Sequence, residues 1–460
     1  MAHDEQAARW IKALNPKGPP RYLQIADWIG EAVEAGLLRA GERLPPQRSL
    51  AERLDVDLTT VTRAYDEARR RNLLDAVTGR GSFVAAQRSQ PGLTVDLSMN
   101  IPPAPRGLRL SDLVQRGIKE VLARTSVDLL MTYHVGPGSQ ADRAAGCTWL
   151  QPVLGRVDPE RLVVCSGAQT ALAAILSMLT RPGDAVLAEP LTYPGFLAAA
   201  AQCRLKVIPV ETDAEGLKPD ALDRACRESG SRVLYLIPTI QNPTTVTMPT
   251  GRRRDLVRVA RANDLTIIED DPYSLLAGDA PPPLATLAPE RSWYVATVSK
   301  CLTPGLRTAY VALPERTGND RLLGALRALT LMPAPLMTAL VTHWIREGRA
   351  ATLLTGVREE AIARQALARS ILPPTMRAHP NGLHVWQPLP APWDRHRLIE
   401  TAREHGLGVT PADVFSASSP VPDAVRISLG GVGDRARLAE ALRVLAAIMS
   451  NDQPAQRAIV

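Results

Sequence analysis

The chain has 460 residues with a net charge of +7, of which 45% are hydrophobic and 22% charged. This composition is typical of a globular protein with a large core and excludes a disordered or fibrous chain, while the charge permits a polyanionic partner without identifying one. Its five cysteines are irregularly spaced, so we predict neither a disulfide framework nor a zinc or other metal site. The N-terminus lacks a basic start followed by an apolar run, and no apolar run approaches the roughly 18 residues that cross a bilayer. We therefore expect a cytoplasmic protein with no membrane partner.

Residues 46–74, PQRSLAERLDVDLTTVTRAYDEARRRNLL, predict two short helices separated by a polar break. The apolar side chains of each helix fall on one face, and Asp57 stands where it can cap the second helix. This spacing is typical of a helix-turn-helix. The apolar positions are Leu50, Ala51 and Leu54 in the first helix and Leu58, Val61, Tyr65 and Ala68 in the second.

The second helix carries polar side chains opposite its apolar face, with donors that suit phosphates or base edges. Downstream, LLDAVTGRGSFVA at residues 73–85 predicts two short strands around a glycine-rich turn, with Arg80 at its tip. Taken separately, such a helix pair is more often ordinary core packing, and such a polar face is more often simply solvated. The polar positions are Thr59, Thr60, Arg63 and Arg70.

Taken in order along the chain, these elements and the stretch GERLPPQRSLA at residues 41–51 resemble the winged helix-turn-helix of the GntR family. The resemblance covers residues 20–85 and implies binding to a double-stranded DNA operator. The DNA-contacting residues that it implies are Arg48, Thr59, Thr60, Arg63 and, on the wing, Arg80.

From residue 96 onwards, five apolar strands alternate with helical segments, as in an α/β sheet. In open α/β sheets the ligand lies beyond the carboxyl ends of the strands, so the residues that follow each strand are the candidates for a site. The predicted strands are RLVVCSG, DAVLAEP, VLYLIP, LTIIED and WYVATVSK, which begin at residues 161, 184, 233, 265 and 293.

The residues after these strands suit pyridoxal 5′-phosphate. A glycine opens a helix whose bare amides favour a phosphate, and Arg307 offers the phosphate a bidentate fork. The aldehyde of this cofactor forms a Schiff base with lysine, and a carboxylate keeps its ring nitrogen protonated. Each residue alone fits an ordinary surface or packing role. In chain order they are Gly167, Ala168, Gln169, Tyr193, Asn242, Asp270, Tyr273 and Lys300.

The motifs SGAQTAL, EPLTYPG, QNPT, IIEDDPY and TVSKCLTPGLR make residues 96–450 closely resemble the fold-type I aminotransferases. The resemblance implies that Lys300 carries the cofactor, that Asp270 faces the ring nitrogen and that Tyr193 stacks on the ring. The donors to the ring hydroxyl that it implies are Tyr273 and Asn242, and the phosphate-binding residues are Gly167, Ala168, Gln169, Thr297, Ser299 and Arg307.

Three further positions follow from the same resemblance. Tyr133, in MTYHVGPGSQADRAA, matches a tyrosine that reaches the phosphate of the partner subunit, which implies a homodimer. Arg426, in AVRISLGG, matches the arginine that binds the α-carboxylate of an amino acid. Thr245 departs from the family, because a glycine usually follows NPT, and this leaves the local turn open.

A winged helix-turn-helix joined to an aminotransferase-like domain resembles the MocR subgroup of GntR regulators. The resemblance implies a bacterial-type regulator, associated with the nucleoid when bound to DNA, that is not an enzyme. Its large domain holds pyridoxal 5′-phosphate and senses an amine or amino-acid effector. An active aminotransferase that carries a DNA-binding module is the alternative. A third interpretation, a scaffold with an empty pocket, is disfavoured by Lys300, Asp270 and Arg426.

The predicted fold class is therefore an N-terminal winged helix-turn-helix, mainly α with a β-wing, followed by an α/β fold-type I aminotransferase-like domain. The predicted segments are an N-terminal extension (1–19), the DNA-binding domain (20–85), a linker (86–95), the cofactor-binding, effector-binding and dimerisation domain (96–450) and a C-terminal tail (451–460).

Overall fold

The structure is a computed structural model that describes residues 10–16, 18–38, 41–71, 73–77, 81–84 and 95–450. It contains two compact units, Met1–Gly92 and Leu93–Val460. Arg80, the predicted tip of the wing, and the predicted tail lie outside the described residues, as does most of the predicted extension and linker.

The described part of the small unit consists of three helices and a two-stranded antiparallel wing. Val61 and Tyr65 of the third helix are buried in its core, and the Tyr65 hydroxyl donates to the carbonyl of Pro45 at 2.8 Å. These elements confirm the predicted helix-turn-helix and wing. Leu58 is a correction: it is 41% exposed, because it is the first residue of its helix and precedes the turn that packs on the core. The elements are α1 (Arg21–Glu34), α2 (Gln47–Leu54), α3 (Leu58–Arg70), β1 (Leu74–Val77) and β2 (Gly81–Val84).

Within the described residues, the large unit combines strands of four sheets with helices. Its strands are β3 (Val95–Asp96), β4 (Leu162–Cys165), β5 (Ala185–Ala188), β6 (Lys206–Pro209), β7 (Thr212–Asp213), β8 (Gly216–Leu217), β9 (Val233–Leu236), β10 (Thr266–Asp270), β11 (Ser292–Thr297), β12 (Ala309–Ala312), β13 (Arg377–Ala378), β14 (His384–Pro388), β15 (Leu407–Gly408), β16 (Thr410–Pro411) and β17 (Ala424–Ser428). Its helices are α4 (Leu110–Arg124), α5 (Val127–Leu130), α6 (Gln140–Leu154), α7 (Ala168–Leu179), α8 (Pro194–Gln202), α9 (Pro219–Ser229), α10 (Thr250–Ala262), α11 (Ser274–Ala277), α12 (Leu284–Leu287), α13 (Asp320–Thr330), α14 (Pro335–Arg346), α15 (Arg349–Ile371), α16 (Arg395–Glu404) and α17 (Arg435–Ser450).

The main sheet has seven strands within the described ranges, in the order β4-β12-β11-β10-β9-β5-β6. All run in the same direction except β12, which is antiparallel to both of its neighbours. The five predicted strands are β4, β5, β9, β10 and β11. The sequence pattern misses β6 and β12. The edge strand β6 is half exposed and lacks a continuous apolar run, whereas β12 is buried but only four residues long.

A second core lies around the antiparallel sheet β13-β14-β17-β16. The first strand of the unit, β3, pairs in parallel with β15, with Val95 opposite Leu407. The start of the large unit is thereby held next to its last strands, and the segment that follows β3, residues 97–101, enters the region between the two cores.

Within the described residues, no helix is both long and apolar enough to cross a membrane. All five cysteines are free thiols. The same residues contain no group of three or more histidine, cysteine, aspartate or glutamate side chains placed to hold a metal ion.

Candidate cofactor and effector site

The main sheet brings the predicted residues to one edge. Asp270 is the last residue of β10, and Lys300 follows the end of β11. Gly167 and Tyr193 are the N-cap residues of α7 and α8, the helices that follow β4 and β5. The edge is therefore lined by strand ends and helix starts, as expected for a ligand site in an α/β sheet.

Lys300 lies at the centre of this edge and is half-buried. Its Nζ donates a hydrogen bond to the backbone carbonyl of Asn100. Burial and the positive charge of Arg426 lower the pKa of Lys300 to about 8, although Asp270 opposes them. A lysine with such a pKa spends more time as the free amine, which is the form that attacks an aldehyde.

Asp270 is buried and accepts a hydrogen bond of 2.8 Å at Oδ2 from the hydroxyl of Tyr235. Burial raises the pKa of Asp270 to about 7, and the bond from Tyr235 partly offsets this rise. The Tyr235 ring stacks on Phe196 with 3.8 Å between centroids, which fixes the hydroxyl in place. A buried carboxylate of this kind is stabilised by a cationic N–H partner, such as a protonated ring nitrogen.

Asp271, the neighbouring carboxylate, has a different role. Its Oδ1 accepts from the amides of Tyr273 and Ser274, and its Oδ2 accepts from the hydroxyl of Tyr294 at 3.0 Å. Asp271 thus builds the turn into α11 with its hydrogen bonds already satisfied, which leaves Asp270 as the carboxylate for a ligand.

Tyr273 is fully buried. Its hydroxyl accepts a hydrogen bond of 2.9 Å from Nδ2 of Asn100, and the same Nδ2 lies 3.1 Å from Nδ1 of His384. Asn100 and His384 are also buried. Tyr273 therefore belongs to a polar cluster that joins the segment 97–101 to β14.

Arg426, on β17, reaches the same site. Its Nη1 donates to Oδ1 of Asn242 at 2.9 Å, and its Nη2 donates to the carbonyl of Ser98 at 2.6 Å. The guanidinium also lies 4.8 Å from the centre of the Phe415 ring. Because Oδ1 of Asn242 is occupied by an arginine, Nδ2 is the end of this amide that remains to donate to a ligand.

A candidate phosphate cradle lies where α7 begins. Gly167 has φ +93°, and a Cβ there would lie 2.5 Å from the guanidinium of Arg307, so only a glycine admits this arginine beside the helix start. Arg307 is exposed, and Ala168 opens α7. Gln169 donates to the carbonyl of Gly195 at 2.7 Å.

Thr297 and Ser299, at the end of β11, are both buried. The Thr297 hydroxyl donates to Ser299 Oγ at 2.9 Å and lies 3.3 Å from the carbonyl of Thr308, the residue after Arg307. Of the predicted phosphate-binding residues, Gly167, Ala168, Gln169 and Arg307 thus lie at the start of α7, whereas Thr297 and Ser299 lie at the end of β11.

The two remaining predicted tyrosines differ in their surroundings. Tyr193 is half-buried, and burial raises its pKa, while Gly195 leaves room for its ring, because a Cβ there would lie 2.4 Å from it. Tyr133 is 76% exposed. Within one copy of the chain, Tyr133 therefore stands apart from the other site residues.

Four residues of the site were not predicted: Ser98, Asn100, Tyr235 and His384. Tyr235 lies inside a buried strand, where the sequence does not distinguish a tyrosine with a ligand-site role from one that packs in the core. The other three are brought in from distant parts of the chain, and Asn100 lies 200 positions before Lys300. The polar residues of LSMNIPP (97–103), just before the first helix of the unit, were the signal available.

In the small unit, Arg48, Thr59 and Arg63 are exposed and Thr60 is half-exposed on the start of α2 and α3. The hydroxyl of Thr62 donates to Gln47 Oε1 at 2.8 Å, which ties the two helices together. Four of the five predicted DNA-contacting residues thus lie on the described helices of the motif.

Comparison with known proteins supports both units. Residues 94–445 match the family model "Aminotransferase class I and II", and residues 21–84 match "Bacterial regulatory proteins, gntR family". The vitamin B6 salvage pathway transcriptional repressor PtsJ of Salmonella typhimurium is 30% identical over 430 residues, which cover 89% of this chain and 94% of that protein. The chain belongs to the MocR-type regulators of the GntR family.

Two further relatives show the range of this similarity. The HTH-type pyridoxine biosynthesis transcriptional regulator PdxR of Corynebacterium glutamicum is 29% identical to this MocR-type chain and covers 93% of it, with 98% of that protein matched. The structure of LysN, the α-aminoadipate aminotransferase of Thermus thermophilus, complexed with N-(5′-phosphopyridoxyl)-L-leucine, superposes with a TM-score of 0.70 at 27% identity. The match covers 84% of this chain and 98% of LysN.

Membership in the MocR-type regulators confirms the predicted fold class and the predicted class of function, a DNA-binding transcriptional regulator with an aminotransferase-like domain. The class I and II fold also confirms the predicted cofactor, pyridoxal 5′-phosphate. Relatives that are regulators and relatives that are aminotransferases both resemble the large unit.

The residues of this MocR-type chain fit the cofactor. Arg307 and the start of α7 suit its phosphate, Lys300 its aldehyde and Asp270 its ring nitrogen. Three buried polar atoms of the site, Oδ1 of Asn100, Nε2 of His384 and Nε of Arg426, have no hydrogen-bond partner among the described residues. Unpaired buried polar atoms cost free energy, so they are the groups that a ligand would satisfy.

Proposed function

We propose that this chain is a transcriptional regulator that binds an operator through its small unit and senses an amine or amino acid through a cofactor in its large unit. The observation that carries the proposal is the convergence of Lys300, Asp270 and Arg426 in a chain that also presents Arg63 on an exposed helix-turn-helix. The functional domains proposed are residues 20–85 and 96–450, joined by the linker 86–95.

When bound, pyridoxal 5′-phosphate supplies an aldehyde that reacts with primary amines and a ring that withdraws electrons. The chain's own residues hold it. Arg307 and the amides of α7 bind the phosphate, Asp270 holds the proton on the ring nitrogen, and Tyr193 covers the ring. Tyr273 and Nδ2 of Asn242 donate to the ring hydroxyl.

The effector binds where Arg426 now contacts Ser98. A guanidinium forms two parallel hydrogen bonds with a carboxylate, so an amino acid gains more from Arg426 than the corresponding amine does. To bind there, the carboxylate competes with the Ser98 carbonyl for Nη2. The effector's amine likewise takes the place of Lys300, whose Nζ now rests on Asn100.

Both competing contacts lie on the segment 97–101, and this position supports a route for regulation. The segment follows β3 and so continues directly from the linker 86–95. An effector shifts an equilibrium only by its differential affinity for the two states. Ligands that engage Arg426 and Lys300 together favour the state in which this segment is released.

We also propose that the regulator is a homodimer. Side chains around Tyr133 are exposed and apolar, with Leu129 58% and Met131 67% exposed. Leu129 and Tyr133 line a groove of about 800 Å³. Large exposed apolar patches are typical of interaction sites. A second copy that covers the patch would bury Tyr133 and let it reach the neighbouring phosphate.

The dimer is tested by Leu129→Asp, which should give a folded monomer in sedimentation velocity. Leu37→Asp in the small unit, also at an exposed leucine, is the matched control and should remain dimeric. A wild-type protein that sediments as a monomer at micromolar concentration contradicts the proposed dimer.

The regulator is proposed to act in the cytoplasm, on the nucleoid, without enzymatic turnover. Transamination is the second candidate function, because Lys300, Asp270 and Arg426 retain the chemistry it needs and the large unit resembles an aminotransferase. Mixing an amino acid with a 2-oxo acid and the holoprotein separates the two functions.

The deciding experiment is a fluorescence anisotropy titration on the DNA upstream of this gene, at two salt concentrations, with and without pyridoxal 5′-phosphate. Alanine, leucine and glutamate are added in turn, each beside the amine that lacks its carboxylate. The regulator is expected to prefer this DNA over a scrambled sequence and to respond to at least one amino acid. Arg426→Gln should lose the difference between that amino acid and its amine. No preference for the upstream DNA, combined with ready transamination, overturns the proposal.

A further inference from the structure

We propose that Asn100 is a positioning residue that directs the hydroxyl hydrogen of Tyr273 towards the cofactor. The inference rests on the proposed cofactor site and deepens it, because none of the sequence motifs assigns a role to residue 100. Its basis is the polar cluster of Asn100, Tyr273 and His384 beside Lys300.

The two hydrogens of the Asn100 amide have two partners. Nδ2 lies 2.9 Å from the Tyr273 oxygen and 3.1 Å from Nδ1 of His384. An amide nitrogen has two hydrogens to donate and no lone pair to accept with, so both neighbours act as acceptors. A phenol that accepts from Asn100 keeps its own hydrogen for another acceptor, and the ring hydroxyl of the cofactor is the acceptor proposed for it.

The neutral state of His384 is compatible with this direction. It is completely buried, and burial and the nearby charge of Arg426 lower its pKa to about 3. The imidazole is therefore neutral at physiological pH, and one of its nitrogens has to accept. With Nδ1 as that acceptor, Asn100 presents its nitrogen to both His384 and Tyr273. Two buried atoms of the cluster, Oδ1 of Asn100 and Nε2 of His384, then have no partner among the described residues.

The backbone of Asn100 adds a second link, because its carbonyl accepts from Nζ of Lys300. One residue thus contacts both the amine that attaches the cofactor and the phenol beside it. The titratable and charged groups that face Tyr273 and Lys300 are Asp270, Tyr193, Arg307, Arg426, Cys301 and His384.

The test is the pH dependence of the absorption spectrum of the full-length protein with bound pyridoxal 5′-phosphate, followed between about pH 5 and pH 10. A donor to the ring hydroxyl oxygen weakens the hold of that oxygen on the proton of the Lys300 linkage. Removing the donor should therefore raise the midpoint of the spectral titration, the pH at which half of the Lys300 linkages have lost this proton. We expect Asn100→Leu to raise it by about 0.5–1 pH unit, the size of one hydrogen bond.

Tyr273→Phe decides between positioning and simple packing. In that background Asn100→Leu should cause no additional shift, because the hydrogen that it directs is gone. Asn263→Leu is the matched control and should leave the midpoint unchanged. Asn263 is a half-buried asparagine that lies before the start of β10, away from the site, and its Nδ2 donates to Asp223. Asn100→Ala repeats the test if Asn100→Leu fails to fold.

An unchanged midpoint in a folded Asn100 variant overturns the inference, and so does an equal shift in the presence and absence of the Tyr273 hydroxyl. The result is independent of DNA binding. A protein that shows these shifts but binds no operator breaks the proposed function and leaves the role of Asn100 intact, whereas the reverse pattern breaks only the role of Asn100.

Discussion

The proposed cofactor site and the proposed DNA-binding face differ in how their side chains are held. In the large unit, Asp270, Tyr273 and Arg426 are buried, and each is bonded to another residue of the chain. In the small unit, Arg48 and Arg63 are exposed on short helices.

This difference indicates where each unit acquires its specificity. The buried site is built by the fold, so its geometry exists before a ligand arrives and its burial is a cost to the apoprotein. We expect the exposed arginines to gain a fixed geometry only on DNA, where phosphate and base contacts would order them. Substitutions in the two regions should therefore affect different observables.

The largest effect is expected from Lys300→Ala, which should abolish covalent retention of the cofactor while the phosphate cradle still binds it. Borohydride reduction followed by mass spectrometry of the peptide that contains residue 300 measures this. Lys218→Ala, at a lysine paired with Glu211 outside the site, should retain full labelling. Wild-type protein whose residue-300 peptide carries no cofactor after reduction would contradict the assignment.

The cost of burial can be measured at Glu189. Burial raises the pKa of Glu189 to about 8, although a hydrogen bond from Gln241 opposes this rise. Between its unfolded value of 4.5 and pH 8 the folded state binds more protons than the unfolded state. The free energy of unfolding should therefore fall as pH rises through this window. Glu189→Gln cannot titrate and should be more stable than wild type by a few kcal/mol at the upper end.

Urea unfolding of the apoprotein at several pH values checks this prediction. The fall in unfolding free energy with pH should be shallower in Glu189→Gln than in wild type. It should not vanish, because burial also raises the pKa of Glu269 and Asp270 to about 7. Glu215→Gln, at an exposed glutamate, should leave the slope as it is. A slope that is identical in Glu189→Gln and wild type would show that Glu189 is not the titrating group.

On the exposed side of the comparison, Arg63→Ala should weaken operator binding by about 1–3 kcal/mol if Arg63 contacts a base, with relaxed preference at that base. If Arg63 contacts a phosphate, binding to all sequences should weaken alike, and the salt slope should fall by about one. In either case the cofactor spectrum and the thermal stability should not change. Arg254→Ala, at an exposed arginine of the large unit, serves as the matched control in the same anisotropy titration.

The smallest effect is expected at Thr245, which occupies a left-handed conformation with φ +67°. The turn after NPT therefore keeps a backbone conformation that favours glycine, although the residue there is threonine. The β-branched side chain makes this conformation strained. Thr245→Gly should stabilise the large unit by about 0.5–1 kcal/mol in urea unfolding. Thr244→Gly should do the opposite, because it removes a hydroxyl that donates to Gln241 at 2.7 Å.

The residues found from the sequence are those whose signal is local. Asp270 and Lys300 stand directly after apolar strands, and the strand direction alone brings them to one edge. Ser98 and Asn100 give no such signal, because their partners Arg426 and Tyr273 lie 328 and 173 positions away. Contacts of that range depend on how the two cores pack, which no local pattern encodes.

The pairing of β3 with β15 also orders events during synthesis. A ribosome adds about 5–20 residues each second, so tens of seconds separate the emergence of Val95 from that of Leu407, its partner. Throughout that interval the winged helix is complete, whereas the segment after β3 has neither the strand nor the arginine that holds it. The nascent chain can therefore acquire a DNA-binding fold well before it acquires a pocket able to control it.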